Sequence, residues 1–522
     1  MAGYSFTSVS AVPITWPLAA FTVWLIGRLL FRRGYRQGSS PPGPRPWPVI
    51  GNLNLIGPIP HQSLYELSQA YGPLMQLKFG SSSVVVTNSP DMAKEFLKTH
   101  DSKFASRPQL AAGKYTVYNF SDMTWAAYGP HWRQGRKVFL THLFSSKRLD
   151  SYEYIRVEER TDLLKQLYDL RGNEVRIRCR LSRLNLNIMS RVVLGKKYSS
   201  DSEHLRAKPA DDSVMSVEEL QVMLEEIILL NGVFTIGDWV PWLARLDLEG
   251  YVKRMKNLSK KFDKFIEFVI EEHKTARATK RVEALDMTDV LLDLIDDPDL
   301  EVKWTVENVK AFTVDLLAGG TDTAATTVEW AMTELMKNPE KMKKATEELD
   351  GIIGRERWVE ERDTPNLPYL DAIMKETMRL HPAATLLAPH LALEDCKIKN
   401  YDISKGTVVL INTWSMGRDP TIWESPEEFR PERFLNKDID IKGKSFELLP
   451  FGSGRRMCPG YTLGLKMIKS SLANLVHGFN WTLPQEMKPK DLDVEEIYGL
   501  TTPRKNPLVA VVEPRLPPHL YT

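Results

Sequence analysis

Cysteine is scarce: Cys179, Cys396 and Cys458 are the only three in 522 residues. That number excludes a disulfide scaffold and points to a reducing compartment. Net charge is nearly absent too, with 69 Lys and Arg against 67 Asp and Glu. So even a balance lacks the basic footprint of a nucleic-acid binder, and no nucleic acid is expected as a partner. No segment repeats and none is of low complexity, which excludes a solenoid. No glycine-rich nucleotide fingerprint follows a strand, so the chain is not expected to bind NADPH itself. Basic residues are missing ahead of Arg28. A cleaved signal peptide carries positive charge before its apolar run, so cleavage is disfavoured.

What is present begins with an apolar run from Val12 to Phe31, close to the length of about 20 residues that crosses a bilayer. Arg28 lies near its end, where the side chain can snorkel, and Arg32, Arg33 and Arg36 follow. The positive-inside rule puts this basic side in the cytosol. A single transmembrane helix with its basic flank is therefore expected over residues 1–40. Next comes Pro41-Pro42-Gly43-Pro44-Arg45-Pro46-Trp47-Pro48, which forbids a helix and stiffens the chain. Residues 41–52 read as a semi-rigid hinge, with a proline-rich recognition segment as the other reading. Residues 53–522 would form the catalytic domain, a length ample for one large core.

Beyond the hinge, Ser63 to Tyr71 suggests a short helix opened by a serine cap. Leu74 to Phe79 and Ser83 to Thr87 suggest two strands around Gly80. Helix-period apolar spacing then recurs at Met223–Leu230, Phe262–His273, Ala311–Leu335 and Leu370–Leu380. Ser199 to Ser216 is polar and reads as a loop. Strands return near 391–412, most clearly at Thr407 to Ile411. The fold expected is mainly α with a small β-rich part.

The segment Pro450-Phe451-Gly452-Ser453-Gly454-Arg455-Arg456-Met457-Cys458-Pro459-Gly460 carries the chemistry. One thiol sits in a glycine-rich loop ahead of an apolar run suited to a helix, Leu463 to Phe479. Glycines 452, 454 and 460 let the backbone turn tightly and approach a flat partner. Two adjacent arginines and the positive end of the following helix are expected to lower the thiol pKa. A lone thiolate among amide donors suits an axial haem ligand, which favours O–O cleavage. A buried structural cysteine is the plainer alternative.

Phe451, Gly454, Arg456, Cys458 and Gly460 match, position for position, the haem-binding loop of the cytochrome P450 superfamily. The chain resembles its plant microsomal members from about residue 41 to the C-terminus. The resemblance implies haem b as cofactor, with Cys458 as the axial ligand to iron. Ala318-Gly319-Gly320-Thr321-Asp322-Thr323 lies inside a long helical run, where paired glycines cost about 1 kcal/mol each. On its own this is either a kinked buried helix with back-bonded threonines or an acid and a hydroxyl placed to pass protons. It is similar to the family's oxygen-binding helix, which implies proton delivery by Thr323 and Asp322. Ala324 departs from the pattern, where a second hydroxyl residue is usual.

Glu376 and Arg379 share a helix face and can pair. They resemble the family's Glu-x-x-Arg helix, which implies a buried structural network with Arg433 of Pro431-Glu432-Arg433. Trp132 and Arg136 also share a face, most simply as surface packing. The resemblance implies that both contact the haem propionates, with Arg456 as a third ligand and His390 as a fourth. It further implies pocket walls at Leu110–Trp125, Phe312–Asp315, Ala383–Ala388 and Tyr498–Thr501, whose apolar content suits a lipophilic substrate.

The function expected is a monooxygenase that inserts one atom of O2 into a terpenoid, flavonoid or other phenylpropanoid. Electrons would come from NADPH through a separate NADPH-cytochrome P450 reductase. Arg133, Lys137, Lys442, Lys444 and Arg455 could dock that partner, or be an ordinary solvated surface. The place expected is the endoplasmic reticulum membrane, in contact with its lipid, with the catalytic domain facing the cytosol. Two rivals are a reductase-independent haem-thiolate isomerase or dehydratase, and a non-enzymatic haem-binding protein. The Asp322-Thr323 pair counts against both.

Overall fold

The computed structural model describes residues 22, 40–197, 215–279, 286–484 and 487–522. The membrane span expected at 12–31 lies outside these but for residue 22, as does most of the loop expected from Ser199. Among the described residues no helix is long and apolar enough to cross a membrane. Residues 41–52 lie along the first hairpin: the Gln76 amide donates to Pro42 O at 2.8 Å and the Asn52 amide to Lys78 O at 2.6 Å.

Helix α1 (Pro60–Tyr71) starts three residues before the expected Ser63. Proline fits the first turn because an N–H there has no helical partner. Ser63 is no cap; its hydroxyl accepts from the Gly57 amide. Strands β1 (Leu74–Phe79) and β2 (Ser82–Thr87) pair antiparallel around Gly80, whose φ of 52° needs a residue without Cβ strain. The helical body follows: α2 (Pro130–Val138), α3 (Ile177–Leu194), α4 (Val217–Leu230), α5 (Tyr251–Thr279), α6 (Val306–Lys337) and α7 (Pro368–Leu380). Then come β3 (His390–Leu391), β4 (Val408–Ile411) and α8 (Tyr461–Gly478). The sheet order is β1-β2-β4-β3, with β2 and β4 parallel. Parallel neighbours need a crossover, and here the crossover contains α2 to α7. A second sheet joins Glu174–Arg176, Val509–Pro514 and Phe479–Thr482.

Helix α6 is the axis of the molecule. Thr305 and Asn308 close its N-terminus in a capping box. It runs 32 residues, mostly buried, and packs most extensively on α3. The paired glycines do not break it. A Cβ on Gly320 would lie 2.5 Å from Met189 Sδ, so α3 and α6 approach closely there. A Cβ on Gly319 would meet nothing within 4 Å.

Glu376 of α7 is wholly buried and accepts from Arg379 Nε at 2.7 Å and from Arg433 Nε at 2.9 Å. Arg379 also donates to the carbonyls of Gly417, Pro426 and Glu428. The network thus ties α7 to the segment leading towards the cysteine loop.

Candidate active site

A cavity of about 350 Å³ lies between α6 and the cysteine loop. Of the three cysteines only Cys458 borders it. Cys396 is buried elsewhere, in a cluster with Leu74, Val85 and Val409, and Cys179 is exposed on α3. Gly452 and Gly454 have φ of 67° and 70°, and a Cβ on Gly454 would fall 2.2 Å from Leu97 O. Both positions therefore need glycine. Gly460 differs from expectation: its φ is −90° and the nearest atom to a Cβ is 3.5 Å away on Phe144. It serves instead as the residue ahead of α8. Phe451 lines the cavity, and its carbonyl accepts the Cys458 amide at 2.9 Å.

The thiol is not activated as the sequence suggested. Burial pushes the Cys458 thiol above its ordinary value, against the opposing pull of the Gly460 amide and Arg136. Arg455 turns away to Asp101, 2.7 Å from Nη1. Arg456 points into backbone carbonyls. Ionisation thus falls to a metal, which deprotonates a thiol on binding.

Arg107, Arg136, Arg456 and His390 gather on one side of the cavity. Arg456 donates to Ala105 O, Met123 O and Ala126 O, and burial with Arg107 nearby lowers its pKa to about 8. Arg107 donates to Thr124 O, Ala388 O and Pro389 O, and burial lowers it to about 10. His390 is held well below its ordinary value by burial and then by Arg107, so it is neutral near pH 7; its Nδ1 bonds Phe104 O at 2.9 Å. Arg136 is lowered by burial yet makes no hydrogen bond or ion pair to a described residue. Trp132 also departs from expectation. Its indole N–H is spent on Met123 O at 3.2 Å, and its ring carries the Arg456 guanidinium 4.3 Å away. It supports a cation instead of offering a donor. Three guanidiniums sharing one low-dielectric wall are costly without anionic partners. The wall fits a group that brings two carboxylates, as haem does, while Cys458 offers a thiol below and Gly319 leaves room above.

Thr323 borders the cavity and donates to Gly319 O at 2.9 Å. Asp322 does not border it. One residue along a helix turns about 100°, so adjacent side chains face apart. The Asp322 carboxylate is buried, 2.8 Å from Arg178 Nη2, and accepts from Thr501 Oγ1 at 2.6 Å. Thr501 does line the cavity, so Asp322 reaches it only through that hydroxyl.

The expected walls are present in part. Val117, Ala384, Leu387 and Leu500 line the cavity, but Phe312 is core, packed on His131 and Trp304. Sequence reasoning missed Arg107, Met189 and the α4 wall of Ile227, Ile228 and Asn231. Only tertiary folding brings α4 over the cavity, and Arg107 lacked any helical spacing to expose it.

The fold and this thiol-floored cavity define a haem-thiolate enzyme. The cytochrome P450 family model matches residues 41–511, and the chain belongs to that family. It is similar to trimethyltridecatetraene synthase of Zea mays, at 45% identity over 92% of this chain and 90% of that protein. Flavonoid 3'-monooxygenase of Petunia hybrida is 42% identical, covering 96% of this chain and 97% of that one. A zebra fish cytochrome P450 solved with abiraterone superimposes with a TM-score of 0.72 at 26% identity, over 88% of this chain and 100% of that one. The chain is a cytochrome P450 monooxygenase, and its cofactor is haem bound through a thiolate.

Proposed function

We propose that the chain inserts one oxygen atom into a lipophilic terpenoid or phenylpropanoid, using electrons passed from NADPH by a separate reductase. The observation that carries this reading is the apolar cavity bordered by Cys458 and by Arg136, which pairs with no described residue. When bound, haem supplies dioxygen binding and reduction at the iron. Cys458 would hold the iron. Arg136, Arg107 and Arg456 would neutralise the two carboxylates, whereas neutral His390 gives its one N–H to Phe104 O and has none left for them. Thr323 holds a proton at the cavity surface, and the buried Asp322 carboxylate reaches the cavity through the Thr501 hydroxyl, where it can take up and pass on a proton. The isomerase reading has no use for this relay.

Lys137, Lys442 and Lys444 are exposed. Ser453 donates to Gly443 O at 2.6 Å, which places the last two beside the cysteine loop. This basic face suits an acidic reductase surface. Trp242, Leu246 and Leu248 are 68%, 62% and 61% exposed and Trp47 is 61% exposed. Both groups flank the Gly80 turn, where the Ser81 amide donates to Trp239 O. Such a patch suits membrane lipid, in keeping with an endoplasmic reticulum location and a cytosolic catalytic domain.

The test is spectroscopic. Cys458→Ser is expected to abolish the thiolate-type band of the reduced carbon-monoxide adduct, while Cys396→Ser and Cys179→Ser keep it. Retention of the band in Cys458→Ser would overturn the assignment.

A further inference from the structure

We infer that a column of lysines on the first half of α5 docks the domain on anionic lipid headgroups, beside the apolar patch of Trp242, Leu246 and Leu248. This rests on the lipid-contact reading above and adds the chemistry of the lipid to it: a headgroup of net negative charge, such as phosphatidylserine.

Helix α5 begins three residues after Leu248. Lys253, Lys256, Lys260, Lys261 and Lys264 are all exposed, and none forms an ion pair with a described residue. At about 100° per residue, Lys253, Lys260 and Lys264 fall within about 40° of one another, and they span about 16 Å along the axis. Like charges three and four residues apart destabilise a helix, so an anionic surface would relieve this column. Asp263 is the one acid among residues 251–264, and it is committed to Lys310 and the Tyr118 hydroxyl. Further along, the charges are paired: Glu267 with Lys310, Glu271 with Lys274, Glu272 with Lys196 and Arg277 with Asp289. Unpaired positive charge is therefore confined to the turns nearest the apolar patch. The two features join. Tyr115 and Leu248 border one groove of about 200 Å³, and Lys256 Nζ lies 4.8 Å from the centre of the Tyr115 ring. Acids in that groove face inward: Asp247 accepts the Val252 and Lys253 amides at 2.9 and 2.8 Å, and Glu249 the Ile236 amide at 2.8 Å. Exposed Trp and Leu beside a row of lysines suit the boundary of headgroups and acyl chains, where apolar burial and attraction to anionic lipid add.

The test places the full-length haem protein in nanodiscs of phosphatidylcholine, alone or mixed with phosphatidylserine. Hydroxyl-radical footprinting reports on Trp242 and Leu246, and acetylation of lysines reports on α5. Trp242 and Leu246 are expected to be protected in both lipids. Lys253, Lys256 and Lys260 are expected to label about fivefold less in the anionic discs. That protection should vanish at about 1 M salt, where the screening length is about 3 Å. Lys442 and Lys444 are expected to label alike in both lipids. Lys253→Gln, Lys256→Gln and Lys260→Gln combined should keep the haem spectrum and lose the anionic-lipid protection of Lys264. Equal labelling of α5 in the two lipids, an equal fall at Lys442 and Lys444, or undiminished protection of Lys264 in the triple variant overturns the inference while leaving the lipid-facing patch intact. Protection of α5 that needs added reductase would assign the column to a protein and overturn it as well. Full oxidation of Trp242 and Leu246 in both lipids would overturn the patch reading, and this one with it.

Discussion

Removing the Thr323 hydroxyl separates proton delivery from every other task of the site. In the fold it makes one neutral hydrogen bond, to Gly319 O. Its loss costs about 1 kcal/mol, too little to unfold the chain. Cys458, Arg136 and the apolar walls are untouched, so Thr323→Ala should bind haem and substrate normally. A positioned proton donor contributes about 10²- to 10⁴-fold. Water in the cavity can replace part of that, and a fall of about tenfold in product per NADPH is the modest expectation. Reductant consumption should persist, with the missing equivalents leaving as peroxide. Thr501→Val should act in the same direction, because it cuts the link from Asp322 to the cavity. The assay is product and peroxide measured against NADPH oxidised, in reconstituted membranes. An unchanged ratio in Thr323→Ala, Thr501→Val and Asp322→Asn together would remove the relay and revive the isomerase reading.

Other outcomes are expected from features away from the relay. Glu376→Gln leaves two buried guanidiniums without their shared anion and should cost about 3–5 kcal/mol. Lower haem content and a shorter thermal half-life would report it, and a wild-type half-life would sink it. Arg136→Leu should speed haem loss to apomyoglobin about tenfold, with Arg136→Lys partly restoring retention. Hydrogen bonds from Arg515 hold the Asp350 carboxyl at about 2, below its ordinary 3.8. A depressed carboxyl stabilises the fold above about pH 4 and loses that contribution as pH falls towards 2. Asp350→Asn should therefore show a shallower loss of stability over that window in acid titration. An unaltered slope would deny Asp350 this role.

Local patterns announced much of this molecule. The β1–β2 hairpin appears within one residue of its expected ends because alternation and Gly80 both mark it. Helix α6 was visible through its unbroken apolar spacing, and the cysteine loop through glycines 452 and 454. Less legible were groups whose role depends on where neighbours point. The resemblance implies that Trp132 contacts a propionate, and its N–H is given to Met123 O. Asp322 and Thr323 are adjacent in the chain but face different compartments. The thiol environment also misled, because Arg455 and Arg456 have nearer partners than Cys458. Sequence proximity does not report such competition; burial and hydrogen-bond geometry do.

The two glycines of α6 differ in how freely they can change. A side chain at Gly320 would meet the Met189 side chain, so that flexible thioether must first swing aside. Gly319 opens on the cavity with nothing within 4 Å of an added methyl. Alanine at 319 even favours the helix by about 1 kcal/mol. A lineage can therefore narrow its cavity at this position in one step without weakening the scaffold. The two sites are next to each other, so divergence in substrate size has a ready entrance at Gly319, while a change at Gly320 also asks Met189 to move.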